Sequence, residues 1–389
     1  MPLRPWVILA ALSVGRIAFG FQFQTIATLA PDLVPRFGLS YAQLGSMIGS
    51  YMLLGVFAAL PLGLLGRRFG ERWVLATGLA LMTAGACYSA WDLAPTGITL
   101  GRTLAGLGAV AMIVLQNKII AEWFTGARFM MAISVSVCAF PIGVGLAQLL
   151  LPGLLAAGGL AVSLLSDAAP AVLSLLLFLA GYREPPHAPP TPRRFSLPTL
   201  RECKLLLIAG LGWTVYTSGF SGYTSYLPSS LTGRGYGLAV IGLAMTIATW
   251  GNVPATLFGG SLAARFGGLN IFLTGTISLA VGMLGSALAG WPIAWSVLVG
   301  ILGSIQPGVL MAVGTLSARP ENRAVGMGIF YSLYYLGGTF SPALCGVVAD
   351  YMGEPEGGLL AAAAISALAI PLYLLHRSLA AHETMLVRA

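Results

Sequence analysis

Twelve apolar stretches, each about as long as a bilayer is thick, fill almost all of this chain. A bilayer core is about 30 Å thick, and a helix rising 1.5 Å per residue needs roughly 20 apolar residues to cross it. The stretches run over 6–29, 41–65, 74–92, 96–120, 129–151, 160–181, 204–227, 238–263, 269–289, 291–316, 324–349 and 358–377. Between them lie short turns carrying Pro, Gly or charge, such as Pro31-Asp32, Trp91-Asp92 and Gly290-Trp291-Pro292. Only 8% of the residues are charged, against about 25% in a soluble domain. An all-α membrane protein is therefore expected, with backbone polar groups satisfied inside helices. The first stretch reads as a true span and not as a cleavable signal, because it is long and carries Arg16 in its middle.

Charge sets an expected orientation. With both termini on one side, that side collects Arg4, Arg67, Arg68, Arg72, Arg128, Arg183, Arg193, Arg194, Arg201, Lys204, Arg265, Arg319, Arg323, Arg377 and Arg388. The other side holds Arg36 and Arg234. Positive charge accumulates on the cytoplasmic face, so both termini are expected to be cytoplasmic, in a cell (inner) membrane. The net charge of +8 is spread over many short loops, which argues against nucleic acid as a partner. Cys87, Cys138, Cys203 and Cys345 are scattered without metal-ligand spacing, so no metal and no cofactor are expected.

The chain divides in the middle. Residues 182–203 include a Pro-rich, basic run typical of a linker, between six stretches in 1–181 and six in 204–389. The two groups match at a constant offset of 197 residues. Gly15 falls on Gly212, Phe23 on Phe220, Pro31 on Pro228, Gly38 on Gly235, Gly63 on Gly260, Arg68-Phe69-Gly70 on Arg265-Phe266-Gly267 and Gly106 on Gly303. Such a gapless match marks an internal duplication, a common way to build an alternating-access transporter.

On these residues the chain resembles the major facilitator superfamily over nearly its full length. The most specific stretch is Gly63-Leu-Leu-Gly-Arg-Arg-Phe-Gly-Glu-Arg72, similar to the family pattern G-x-L-a-D-R-x-G-R-R. Gly63, Leu65, Arg68, Gly70 and Arg72 match, whereas Arg67 stands for the family Asp and Glu71 for an Arg. The resemblance implies a latch or gate on the cytoplasmic side built from Gly63, Arg67, Arg68, Gly70, Glu71 and Arg72, with charges exchanged. The bland alternative is a tight basic turn. Arg102-Thr-Leu-Ala-Gly106-Leu-Gly108-Ala109 is similar to the family stretch of helix 4, and Pro141-Ile-Gly143-Val-Gly145 to a Gly/Pro pattern of helix 5. Asn117-Lys118 to Phe124 weakly resembles the cyanate and nitrate/oxalate branches, but arginines expected in spans 2 and 8 of the nitrate branch are lacking here. The implied fold is two pseudo-symmetric six-helix bundles, twelve transmembrane helices in all, with spans 1, 4, 7 and 10 lining a central cavity.

Polar residues on those four spans are the candidate substrate site. A charge at mid-bilayer costs at least about 2.5–3.5 kcal/mol on insertion scales, so it needs a purpose. Arg16 shares a helix face with Phe19, Gly20, Phe23 and Gln24, placing a guanidinium beside aromatic rings and an amide. That fork suits carboxylates and other oxyanions, although a structural arginine bonded to carbonyls or to Asp167 has the same sequence. Arg102 and Gln116 lie along span 4, where Arg102 is equally a packing residue; Lys118 reads as a side chain reaching for the water. In the second half Tyr216, Phe220 and Tyr223 form one face of span 7, and Gln306 stands beside Pro307-Gly308 in span 10. Positive charge in one half and aromatic or amide groups in the other suit a small anion with an apolar or planar part.

Proton coupling is weakly supported: His187, His376 and His382 lie outside the likely pathway, and Asp167 is the clear intramembrane acid, read mainly as a packing residue. The expected function is thus a secondary or facilitative anion transporter, working as a monomer in the lipid bilayer. The rivals are a proton-driven efflux pump for amphipathic compounds, a membrane receptor and a membrane-embedded enzyme. The last is disfavoured because no metal cluster, Ser/His pairing or nucleotide loop is visible.

Overall fold

The computed structural model describes residues 4–124, 126–182, 198–319 and 322–386. Those residues form helices and no strand. Their contacts divide into two compact units, Met1–Thr191 and Pro192–Ala389. Most of the expected linker, 183–197, lies outside the described residues.

The first unit holds α1 (Arg4–Phe37), α2 (Tyr41–Leu53, continued by Gly55–Phe69), α3 (Glu71–Trp91), α4 (Pro95–Trp123), α5 (126–158) and α6 (160–181). The second holds α7 (Leu200–Gly233), α8 (Leu238–Trp250, continued by Asn252–Phe266), α9 (Gly268–Leu288), α10 (Pro292–Gly300, a 3-10 turn Leu302–Ser304, then Pro307–Leu316), α11 (Arg323–Met352) and α12 (Glu356–Ala367, continued by Ala369–Leu386). Ten stretches are long and apolar enough to cross a membrane. One of them, the 51-residue run Met131–Gly181, contains both α5 and α6, divided at Gly159 where φ is +73°. The 30-residue α11 spans about 45 Å. That brings the crossings to twelve, in an all-helical membrane protein. Exposed apolar stripes at helical spacing, Val172, Leu176 and Leu179 on α6 and Ile277, Val281, Leu284 and Leu288 on α9, are surfaces suited to lipid.

The duplication is written into the backbone. Gly70 has φ 85°, ψ 137°, and Gly267, 197 residues on, has φ 86°, ψ 138°. Both are left-handed positions that favour glycine, and each lets a new helix start at the next residue. Gly38 and Gly235 repeat the device at the preceding turn, with φ of 61° and 78°. Pro95 and Pro292 open α4 and α10 at their first positions, where a missing N–H is harmless. Even the interruptions correspond: α2 breaks at Leu54 and α8 at Gly251.

Close approach within each unit depends on small residues. Gly20 faces the Phe140 carbonyl and Gly143 the Ile17 carbonyl, locking α1 to α5; Gly106 faces the Tyr51 carbonyl, locking α4 to α2. A methyl group at Gly106 would fall on that oxygen. Gly106→Ala should therefore lower stability by about 1–3 kcal/mol, the usual cost of overpacking. Gly153→Ala, which opens onto free space, should leave it unchanged or slightly raised. Thermal unfolding of both variants in the same detergent tests the difference.

Candidate functional site

Buried polar groups concentrate at two places, one in each unit. In the first, the Arg102 guanidinium lies inside the bundle, 4% exposed. Its Nε donates to the Met47 carbonyl (3.0 Å), Nη1 to the Gln22 carbonyl (2.9 Å) and Nη2 to the Ile48 carbonyl (3.3 Å). The guanidinium carbon sits 5.2 Å from the centre of the Tyr51 ring. One side chain of α4 thus grips α1 and α2 together. Gln22 continues the network. Its Nε2 donates to the carbonyls of Met82 (3.2 Å) and Asp167 (3.0 Å), and its Oε1 accepts from the Tyr51 hydroxyl at 3.0 Å. Asp167 stands where α6 is interrupted and accepts a 2.6 Å bond from Thr25.

The other expected residues of this unit are placed as follows. Arg16 is half-buried, midway along α1. One turn on, Phe19 and Phe23 are buried with Phe140, their ring centres 4.8 and 5.8 Å from its own, and Phe19 stacks on Tyr51 at 5.8 Å. Gln24 is buried, and Gln116 donates to Ser136 of α5. The sequence leaves Asp167 open as a partner for Arg16; the structure gives the carboxylate to Thr25 instead. Lys118, expected to reach for water, pairs with Glu71 and with Glu122 at 3.6 Å. The Lys118 side chain stays 34% exposed, so it reaches the surface and is paired there. Glu71 therefore ties the first turn of α3 to α4. Arg72 reaches the Leu179 carbonyl at 3.4 Å and Arg68 lies over the Phe69 ring at 5.5 Å. Gly63 lies in the second part of α2, Gly70 supplies the turn, and the Arg67 side chain lies outside the described residues.

In the second unit the polar cluster surrounds the interruption of α10. Pro307 has no N–H to offer the Gly303 carbonyl four residues earlier. The Gln306 Nε2 replaces it, donating to that carbonyl at 3.2 Å, while Gln306 Oε1 accepts from Thr276 at 2.6 Å. The Ser304 carbonyl is met by the Thr256 hydroxyl at 3.2 Å. Asn252, at the matching interruption of α8, donates to the Ser304 hydroxyl at 3.0 Å. The Tyr216 side chain of α7 is buried near Ser304 and Asn252. Tyr223 is fully buried, its hydroxyl between Ser286 of α9 (3.3 Å) and Ser296 of α10 (3.2 Å). Tyr216 and Gln306 thus meet at one polar centre; Tyr223 belongs to a separate tie, and Phe220 is half-buried.

Gln22, Thr25, Tyr51, Asn252, Thr256 and Ser304 carry these networks together with the expected residues. Gln22 was missed because it lies off the Arg16 face. Its signal was simpler: an amide inside an apolar span must find partners on some neighbour.

The Major Facilitator Superfamily model matches residues 12–240 and 209–384. The chain belongs to the Major Facilitator Superfamily. It is a membrane transport protein of that superfamily, and the superfamily is one of transporters, not enzymes. It is 26% identical to a putative metabolite transport protein of Haemophilus influenzae, covering 92% of each chain. It is also 26% identical to the 3-(3-hydroxy-phenyl)propionate transporter of Escherichia coli, over 92% of this chain and 91% of that one. The crystal structure of a bacterial homolog of the human lysosomal transporter Spinster shares the fold, with a TM-score of 0.79 at 16% identity, over 97% of this chain and 98% of that one.

Arg102 serves as a brace joining α4 to α1 and α2. Replacing it would take the second, charge-assisted donor from three helix carbonyls and remove a buried ring contact. A hydrogen bond from a charged group contributes about 1.5–3 kcal/mol. Arg102→Met should therefore lower the stability of the detergent-solubilised protein by at least about 2 kcal/mol, read as a fall in denaturation midpoint.

Proposed function

We propose that this transporter carries a small organic anion, a carboxylate on an apolar or planar body, and that Arg16 binds the carboxylate. The observation that carries this is the division of labour between the two arginines inside the first unit. Arg102 is buried in a cradle of carbonyls. Arg16 is half-buried, one turn from the Phe19, Phe23 and Phe140 cluster. A guanidinium offers a carboxylate two parallel N–H donors, and a nearby aromatic surface suits the rest of such a molecule. The relative whose name specifies an aromatic propionate is in keeping with that class. The amide-and-hydroxyl centre of Tyr216, Asn252, Ser304 and Gln306 is the polar contact set we assign to the second unit. The duplicated architecture supports alternating access as the mode of transport.

Wild-type protein in liposomes should exchange labelled 3-phenylpropionate against unlabelled 3-phenylpropionate, and not against organic cations. Losing a charge-assisted pair costs about 1.5–3 kcal/mol, so Arg16→Ala should lower exchange at low substrate concentration by roughly ten- to a hundredfold. Arg16→Lys should recover part of it by keeping the charge without the fork. Normal exchange by both variants would remove Arg16 from the site, and exchange of cations alone would overturn the anion reading.

A further inference from the structure

Asn322 occupies the position from which a side chain would cap α11, and it does not cap it. The residue immediately before a helix ordinarily has an extended backbone, and its side-chain oxygen accepts an N–H of the first turn. Thr199 does this for α7, with φ −63° and ψ 160°, and Ser40 for α2, with φ −72° and ψ 159°. Asn322 has φ −99° and ψ −7°, and its side chain makes no bond to the first turn of α11. Its Nδ2 donates to Glu202 Oε2 at 2.8 Å, while its Oδ1, although buried, meets no donor among the described residues. The carboxylate fixes which way round the amide sits, because a carboxylate accepts and cannot donate. A side chain of a strongly favoured capping type is thus turned away from the helix it precedes.

What holds it is a carboxylate shared between two segments. Glu202 lies in the first turn of α7 and is 6% exposed. Its Oε2 accepts from the Thr199 N–H at 2.8 Å and from the Thr199 hydroxyl at 3.0 Å, which is local capping of α7. Its remaining bonds cross to the turn between α10 and α11: Oε1 accepts the Arg319 N–H at 2.8 Å, and Oε2 the Asn322 amide. Those crossing bonds tie the start of α11 to the start of α7.

This clasp differs from the brace at Arg102 in what its breaking leaves behind. Once apart, Glu202 keeps both Thr199 donors, and the N–H of Arg319, an exposed residue of the turn, meets water. With ψ rotated to the extended range, Asn322 gains the cap of α11, whose first N–H groups have no partner within the helix. The same residues therefore have two hydrogen-bonded arrangements. At the far end of the seam between α7 and α11, the Tyr226 hydroxyl donates to the Pro342 carbonyl at 2.7 Å. Between the two ties, Thr214 and Ser218 press on Gly337, and their buried hydroxyls meet no partner among the described residues. Unmet buried hydroxyls oppose closure of the seam.

We propose that Glu202 and Asn322 form a two-position switch at this end of the second unit. In the clasped position Asn322 bonds Glu202, and the start of α11 is tied to α7. In the released position Asn322 caps α11, and the seam is free to part from that end. Ser317, bonded to His376 of α12 at 2.8 Å, anchors the end of α10, so residues 318–322 carry the change. The switch does not depend on which substrate the protein carries.

Hydrogen exchange of the full-length protein in detergent, resolved to single amides by mass spectrometry, reads both positions at once. In the wild type the Arg319 amide should exchange at least about tenfold more slowly than an unbonded amide, yet faster than the amides of Leu205 and Leu206, because the switch opens without unfolding α7. Glu202→Gln keeps the capping box of α7, where glutamine also serves, but removes the charge from the acceptor. It should speed exchange at Arg319 about tenfold and leave Leu205 and Leu206 unchanged. Asn322→Asp cannot donate to Glu202 and is itself a good cap. It should speed exchange at Arg319 while slowing it several-fold at Ala324 and Val325 in the first turn of α11. Those opposite changes on the two sides of residue 322 are what a switch requires. Faster exchange on both sides would make Asn322 a structural tie only and overturn the proposal. So would a wild-type Arg319 amide that exchanges at the unbonded rate, or no faster than Leu205 and Leu206, and that result stands even if a variant fails to fold.

Discussion

A membrane interior offers no water to a backbone group that loses its helical partner, and the polar architecture of this transporter follows from that constraint. Its helices are interrupted at Leu54, Asp167, Gly251, Leu368 and across 301–306. Polar side chains gather at Asp167, at Gly251 and across 301–306. Gln22 bonds the Asp167 carbonyl, Gln306 the Gly303 carbonyl and Thr256 the Ser304 carbonyl. Arg102 adds second bonds to carbonyls of α1 and α2. Several of these donors come from a different helix than the acceptor. The same bond that satisfies a backbone oxygen therefore also fixes which helices touch and at what height.

The duplication makes that constraint easier to see, because the two halves meet it differently. Backbone angles at Gly70 and Gly267 agree within about a degree, and Pro95 and Pro292 open equivalent helices. Yet α4 runs unbroken through Arg102, whereas α10 has Val299 at that position and breaks shortly after it. One half ties its helices with a buried charge on a continuous helix. The other interrupts the helix and ties the gap with amides and hydroxyls. A gene duplication conserves turns, where glycine and proline leave little choice, more readily than interior polar bonds, where several solutions satisfy the same carbonyls.

That contrast also explains what could be read from the sequence. Span positions, turns and the repeat are properties of one helix or one turn, and periodicity with Gly and Pro reveals them. The rotational face of Arg16, Phe19 and Phe23 was equally legible. The partners were not. A period of 3.6 residues says which side chains share a face but not which neighbour that face meets. Lys118 therefore read as a solvent-seeking cation, although Glu71 waits for it from 47 residues away. Arg102 read as a ligand for substrate and for packing alike, until the carbonyls of Gln22, Met47 and Ile48 were placed around it. Tyr223 read as one of an aromatic face, yet its hydroxyl is enclosed by two serines of α9 and α10.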